Sequence, residues 1–182
     1  MASLVAESRV RDGGEPDARA RLAELEIALA DEIRKSETLA RVNQAVASST
    51  DIDTCVQVVL DGAREIIGAA FGAFFYNQLE PDGESYALYR LSGAAPEAFA
   101  SFPKVRKTEV FAPTFENAGV VRSDDITQDP RYGKNAPRKG MPEGHLSVRS
   151  YLAIPVATRR GEVLGGLFFA GYATAALAHK GA

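Results

Sequence analysis

The sequence has no tryptophan, one cysteine, two histidines and two methionines. A cysteine-built zinc site needs several thiolates or thiolate–imidazole pairs. Cys55, His145 and His179 stand far apart, so zinc chemistry is not expected. A single thiol fits a reducing compartment and needs no disulfide framework. No stretch approaches the roughly 20 uninterrupted apolar residues of a membrane span. Met1 to Val10 carries a polar, charged middle where a signal peptide would be apolar. The phosphate cradles GxxxxGK[ST] and GxGxxG and the hydrolase elbow GxSxG are also missing. These absences predict a cytoplasmic protein with no membrane partner and no catalysis of those kinds. What is present is ordinary: 182 residues, 46% hydrophobic and 25% charged, with net charge −3. That length supports one domain able to bury roughly 70% of its unfolded surface without disulfide or structural metal. A binding domain is the default.

Residues 1–16 show no periodicity and predict a disordered start or linker. Residues 17–48 form a different regime, because Ala18 to Ala47 is rich in Ala, Leu, Glu and Arg and lacks Gly and Pro. With Leu22 at position a of a heptad, the core positions continue Leu25, Leu29, Glu32, Ser36, Leu39, Asn43 and Val46, five apolar of eight. Two readings stay open: one face packs on its own domain, or a parallel homodimer forms with Asn43 setting register. A second helix follows the break at Ser49 to Asp53, with Thr50 and Asp53 at capping-box spacing. Its apolar face is Val56, Val59, Leu60, Ala63, Ile66 and Ile67, and Gly68 stands at its end. Cys55 near its start reads as a buried small side chain.

After Gly68 the period turns from helix to strand. Phe71 to Leu79 and Ser85 to Leu91 read as a hairpin about Pro81-Asp82-Gly83, and a short helix is expected over Pro96 to Phe102. Residues 103–149 are dominated by Pro, Gly, Asp, Lys and Arg, with one short strand at Gly119 to Arg122. Structureless connections this long are uncommon and usually functional. Ser150 to Thr158 and Val163 to Gly171 form a second hairpin, where Pro155 implies an edge or a bulge. Residues 172–182 are an Ala-rich tail of at most about two helical turns, a short or truncated C-terminal helix.

Two local sequences stand out within this order. One is Val121-Arg122-Ser123-Asp124-Asp125-Ile126, running on to Asp129-Pro130-Arg131-Tyr132-Gly133. The other is Arg149-Ser150-Tyr151-Leu152-Ala153-Ile154-Pro155-Val156 with Gly161-Glu162-Val163-Leu164-Gly165-Gly166-Leu167-Phe168-Phe169. Both resemble GAF domains, most of all the sensor modules ahead of the kinase core in bacterial sensor histidine kinases. The resemblance covers Thr38 to Gly171 and makes residues 49–171 the GAF domain. It implies an α+β fold: a central antiparallel sheet, helices on one face, a pocket-roofing insertion on the other, and a long N-terminal signalling and dimerisation helix. It implies a sensory input module of a two-component signal-transduction protein, with its output domain outside this chain and no enzymatic activity in these residues. The alternative is a ligand-free dimerisation module. A GAF-fold free methionine sulfoxide reductase would use cysteine pairs, which Cys55 alone does not supply.

The fold does not name the ligand, so the insertion must. Phe111, Phe115, Tyr132 and Met141 offer apolar walls, and Arg122, Asp124, Asp125, His145, Arg149 and Ser150 offer polar contacts, the mixture small-molecule sites use. His145 resembles the pocket histidine that phytochrome GAF domains set against their bilin; the alternative is a local hydrogen bond. The bilin-attaching cysteine has no counterpart, which argues against covalent bilin, and haem ligation by His145 stays as an alternative. Adjacent Asp124 and Asp125 cannot both face one pocket, and one is expected to cap a turn or a helix beginning near Pro130. Lys104 to Arg149 carries nine Lys or Arg against six Asp or Glu, a locally basic stretch. That is either a solvated surface or an attraction for an anionic ligand through Arg122 and Arg149. No recognition motif accompanies it, so no nucleic acid is expected.

Overall fold

The computed structural model describes residues 15–80, 83–95, 105–106, 108–134, 140–141 and 146–172. The expected helix over Pro96 to Phe102, the tail beyond Tyr172 and His145 lie outside them. The chain divides into two units, Met1–Ala40 and Arg41–Ala182.

Every described residue of the first unit belongs to α1 (Glu15–Ser48), whose 34 residues span roughly 51 Å at about 1.5 Å each. Local charge pairs support it: Asp31 accepts from Lys35 at 2.9 Å and from Arg34 at 2.5 Å. Those two cations, Lys35 first, hold the Asp31 carboxyl down to about 2. Leu22, Leu25, Leu29 and Leu39, the apolar heptad positions of this unit, are all exposed. No described helix is long and apolar enough to cross a membrane.

The second unit is built on a six-stranded antiparallel sheet. Its strands are β1 (Phe71–Glu80), β2 (Gly83–Ser92), β3 (Val105–Arg106), β4 (Val121–Ser123), β5 (Ser150–Ala157) and β6 (Val163–Gly171), in the order β3-β2-β1-β6-β5-β4. Both edges are very short strands, which blunts edge-to-edge pairing. Pro155 lies beyond the stretch of β5 that β4 covers, Tyr151 to Ala153, so its missing N–H costs no bond to β4.

Strand alternation gives the sheet two faces. On one lies α2 (Ile52–Ile67). Its cap is Asp51, which accepts from the Asp53 and Thr54 amides, in place of the expected Thr50. The Thr54 hydroxyl also bonds Asp51 and holds its carboxyl below the usual range. Gly68 ends the helix at φ 73°, a left-handed conformation that suits glycine. Leu60, Ala69 and Phe169 form this face's core. Gly72 is required here, since a Cβ would sit 2.9 Å from the Phe169 ring. Polar side chains tie the helix to β2: the Ser92 hydroxyl donates to Asp61 and accepts from Arg64, and Arg90 pairs with Asp53. A one-residue slip between Phe74 and Phe75 makes room for Tyr89, which together with Arg90 faces α2.

The other face carries the larger core, with Phe71, Ala73, Phe75, Tyr151, Ala153 and Phe168 from the strands and the insertion folded over them. A short helix, α3 (Ala112–Phe115), is part of that cover. It starts from a turn in which Thr108 accepts the Phe111 and Ala112 amides, carries Pro113 in its first turn and precedes Asn117 at φ 54°. Where a helix near Pro130 is expected, the chain makes a single 3₁₀ turn, Ile126–Gln128, capped by Asp125. The architecture is therefore α+β: an antiparallel sheet with a helix on one face, the insertion on the other, and a long N-terminal helix in the chain.

Candidate functional site

The insertion is fastened to the sheet at its C-terminal end, through Arg149. The Arg149 amide donates to Gly171 O at 2.8 Å, and the Ile126 amide donates to Arg149 O at 2.7 Å. Side chains repeat the fastening: Asp125 accepts from the Thr127 amide and hydroxyl, and Arg149 donates to Asp125 at 3.1 Å and to Thr127 Oγ1 at 3.1 Å. The Thr127 hydroxyl, more than Arg149, holds the Asp125 carboxyl below its ordinary value. Four residues on, Arg131 forms a forked pair with Asp129, with Nε to Oδ1 at 2.8 Å and a terminal nitrogen to Oδ2 at 2.7 Å. The Asp129 side chain is nearly buried, and Arg131 keeps its carboxyl depressed.

Inside the roof the walls are aromatic. Phe168 is the hub, with ring centroids 4.9 Å from Phe111, 5.4 Å from Phe75, 5.8 Å from Phe115 and 6.2 Å from Tyr151. Edge-on and offset geometries of this kind add modestly to burial. Gly166 lets α3 close on the sheet, because a Cβ there would meet Thr114 Cγ2 at 2.7 Å.

Three polar groups within this apolar region have no partner among the described residues. Thr114 is fully buried with no bond to Oγ1, and the Tyr151 hydroxyl and Asn77 Oδ1 are buried and unpaired. Burial pushes the Tyr151 phenol well above its ordinary value, with Arg131 a smaller opposing influence. Asn77 alternates with Phe75 and Ala73, so these three groups lie on the roofed face, while a fourth buried unpaired atom, Ser150 Oγ, lies on the other. Buried polar groups are otherwise almost always bonded, and an exception signals water, an ion or a ligand.

The structure sorts the residues singled out from sequence. Phe111, Phe115, Tyr132 and Met141 come together in the roofed core, with the Tyr132 hydroxyl accepting the Met141 amide at 3.2 Å. Asp125 and Arg149 hold the rim. Asp124 is exposed and bonded to Arg122 at 3.1 Å. Arg122 and Ser150 fall on the opposite face, because Arg122 pairs with Leu152 and Ser150 stands two residues before Leu152, which packs on the α2 side. Thr114, Tyr151, Asn77, Asp129 and Arg131 escaped selection from sequence. For Tyr151 the signal was parity, since it shares a face with Ala153 and not with Ser150.

On the α2 face lies a concavity of about 440 Å³. Val46, Ile52, Cys55, Val56 and Val59 line it from the helical side, and Phe74, Tyr76, Tyr89, Val156, Leu164 and Leu167 from the sheet. It holds no charged side chain. Among the described residues, no group of His, Cys, Asp and Glu is placed to hold a metal ion.

A family model described as "GAF domain" matches residues 49–178. The fold resembles that of the GAF domain of a phosphoenolpyruvate-protein phosphotransferase from Coxiella burnetii (TM-score 0.62, 19% identity, 78% of this chain and 79% of that one). It also resembles free methionine-R-sulfoxide reductase from Neisseria meningitidis (TM-score 0.57, 15% identity, 78% and 75%). A GAF sensor protein from Burkholderia vietnamiensis is similar over 78% of this chain and 82% of that one (TM-score 0.53, 14% identity). No curated protein matches the sequence.

Proposed function

The chain belongs to the GAF domain family, and from that premise we propose that it is the sensory input module of a bacterial signal-transduction protein. In this reading a small ligand sits between the sheet and the insertion, and paired α1 helices carry the change to an output domain of histidine-kinase kind. The observation that carries it is the set of unpaired polar atoms on the roofed face, Thr114 Oγ1, Tyr151 OH and Asn77 Oδ1. A polar ligand supplies the missing bonds at a cost lower than leaving them unmade. Phe111, Phe115, Tyr132 and Met141 are its apolar surroundings, Asp125 and Arg149 its rim, and His145 its further polar contact. The kinase output rests on the resemblance of the two local sequences to modules ahead of kinase cores.

The exposed heptad positions Leu22, Leu25, Leu29 and Leu39 support a homodimer through α1. Arg21 and Glu26 fall at flanking positions where a parallel pair sets opposite charges together. No nucleic acid or membrane enters this reading, and a reducing, cytoplasmic setting suits the single thiol. We assign no catalytic activity: Cys55 is the only cysteine, and it lines the concavity on the face away from the roof. Covalent bilin is not part of the proposal, and haem enters only through His145.

A second reading has its own observation. The ring cluster around Phe168 fills much of the roofed face with the protein's own side chains, which favours a ligand-free dimerisation module. Native mass spectrometry with an absorbance spectrum, on protein purified from its own host without added ligand, separates the two. A retained non-covalent mass supports the sensor. A clean apo dimer that also ignores titrated cyclic nucleotides and small anions supports the interaction module.

A further inference from the structure

We propose that the ligand of the roofed face is an uncharged, elongated molecule with a hydrogen-bonding group at each end and an apolar, ring-bearing middle. The inference rests on the sensor reading above and gives that site its ligand class. Pairing with β6 sets the spacing of the unpaired groups. Tyr151 pairs with Ala170, whereas Phe75 pairs with Gly166, the glycine over which Thr114 closes. Asn77 follows Phe75 by two residues, in the direction away from Tyr151. At about 3.3 Å per residue, Tyr151 lies roughly 13 Å along the sheet from the level of Thr114 and roughly 20 Å from that of Asn77. No compact molecule meets both ends. Between them stands Phe168, level with Ala73 and Ala153, its ring packed against Phe111 and Phe75. An aromatic middle stacks on such rings, and hydroxyl, carbonyl or amide groups suit the two ends.

Charge argues against an ion in this seat. The two hydroxyls belong to nearly inaccessible side chains, Thr114 at 0% exposed and Tyr151 at 6%. They and Asn77 Oδ1 are neutral, and burial, the main influence on the Tyr151 phenol, keeps it protonated. The cations that the insertion brings to the rim are already matched, Arg149 by Asp125 and Arg131 by Asp129. Arg122 pairs with Asp124, and Glu109, Glu116 and Lys134 are exposed. An ion beside the unpaired groups would lie among rings with no counter-charge among the described residues, at a far larger cost than a bonded neutral group. Of the two readings of the basic stretch Lys104 to Arg149, the solvated surface is the one that this seat favours.

The test uses the full chain and isothermal titration calorimetry. The probes are diethylstilbestrol, a stiff uncharged rod with a hydroxyl at each end, its analogue lacking one hydroxyl, and two anions, nitrate and cyclic GMP. The rod is expected to bind. Tyr151→Phe and Thr114→Val each remove one unpaired hydroxyl and keep the side chain's shape, and each should weaken the rod about tenfold. Neither should lower the urea midpoint of ligand-free protein, which separates a lost contact from a lost fold. The one-hydroxyl analogue should bind the wild type about tenfold more weakly than the rod and change by no more than about twofold in either variant, because it can turn its hydroxyl to the remaining end. The anions should not displace the rod. A rod that binds no better than its one-hydroxyl analogue, or that is indifferent to either substitution, overturns the two-ended seat. Displacement by either anion overturns the uncharged class. A rod that fails to bind protein known from native mass spectrometry to retain another non-covalent mass overturns this class and leaves the sensor reading standing. If no mass is retained and no probe binds, the sensor reading falls with it.

Discussion

Tyr151→Phe deletes one buried hydroxyl and keeps the ring that packs 6.2 Å from Phe168. The hydroxyl has no partner among the described residues, and an unsatisfied buried polar group costs about 1–3 kcal/mol. The void left behind is one oxygen in size, roughly 10–20 Å³, which at ~24 cal/mol per Å³ takes back only about 0.2–0.5 kcal/mol. Ligand-free protein should therefore gain roughly 1–2 kcal/mol, or about 2–8 °C in melting temperature for a chain of this size. With ligand bound the sign changes, because a bond of about 0.5–1.5 kcal/mol is lost and affinity falls by up to about tenfold. The assay is urea unfolding followed by circular dichroism, on protein stripped of ligand by unfolding and refolding and again on protein as purified. Destabilisation of the stripped variant would refute the reasoning, since it would mean that the hydroxyl has a partner and that the roofed face has no unmet polar demand at that end.

Gly166→Ala should lower the urea midpoint by the equivalent of about 1–3 kcal/mol, since its Cβ would approach Thr114 and Phe168 to 2.7 Å; an unchanged midpoint would mean that α3 does not rest on β6. Arg131 holds the Asp129 carboxyl below its ordinary 3.8, so on acidification the unfolded chain takes up that proton first. The stabilisation is full above about pH 4 and is lost as pH falls through the lowered value, and Asp129→Asn should flatten the urea midpoint against pH in that window. Leu25→Glu with Leu29→Glu should give monomers in sedimentation velocity, and a persisting dimer would remove α1 from the interface. His145→Ala should weaken ligand retention in native mass spectrometry with little change in melting temperature, and unchanged retention would remove His145 from the site.

The elements with strong local signals were legible in the sequence. A 34-residue helix without internal glycine, the apolar period of α2 closed by Gly68, and the β5–β6 hairpin each rest on interactions near in sequence. Where several residues compete for one local role, sequence alone chose poorly: Thr50 and Asp51 both suit the α2 cap, and the carboxylate accepts two amides. Asp125 met its capping expectation on a 3₁₀ turn of three residues and not on a helix at Pro130. α3 has four residues and no periodicity to betray it; its existence depends on Gly166, more than 50 residues away, leaving space for Thr114. The candidate site was legible as a region more than as residues. Its aromatic wall follows from composition, whereas the sorting of Tyr151 from Ser150 and Val121 from Arg122 depends on register, and a shift of one residue reverses every side chain.

The same parity gives the two faces a mechanical relation. Phe168 and Phe169 are adjacent on β6, and one is the hub of the roofed core while the other is 1% exposed against Leu60 in the α2 core. Tyr151 and Leu152 divide in the same way on β5. Close-packed interiors transmit displacement because they hold little free volume to absorb it. A twist of β6 that repacks Phe168 around a ligand therefore also turns Phe169 against α2, the helix that Ser92 and Arg90 tie to β2. In the proposed sensor, a signal from the roofed face would need no dedicated hinge to reach the helical face. The backbone of one central strand, with a large aromatic side chain committed to each core, would carry it.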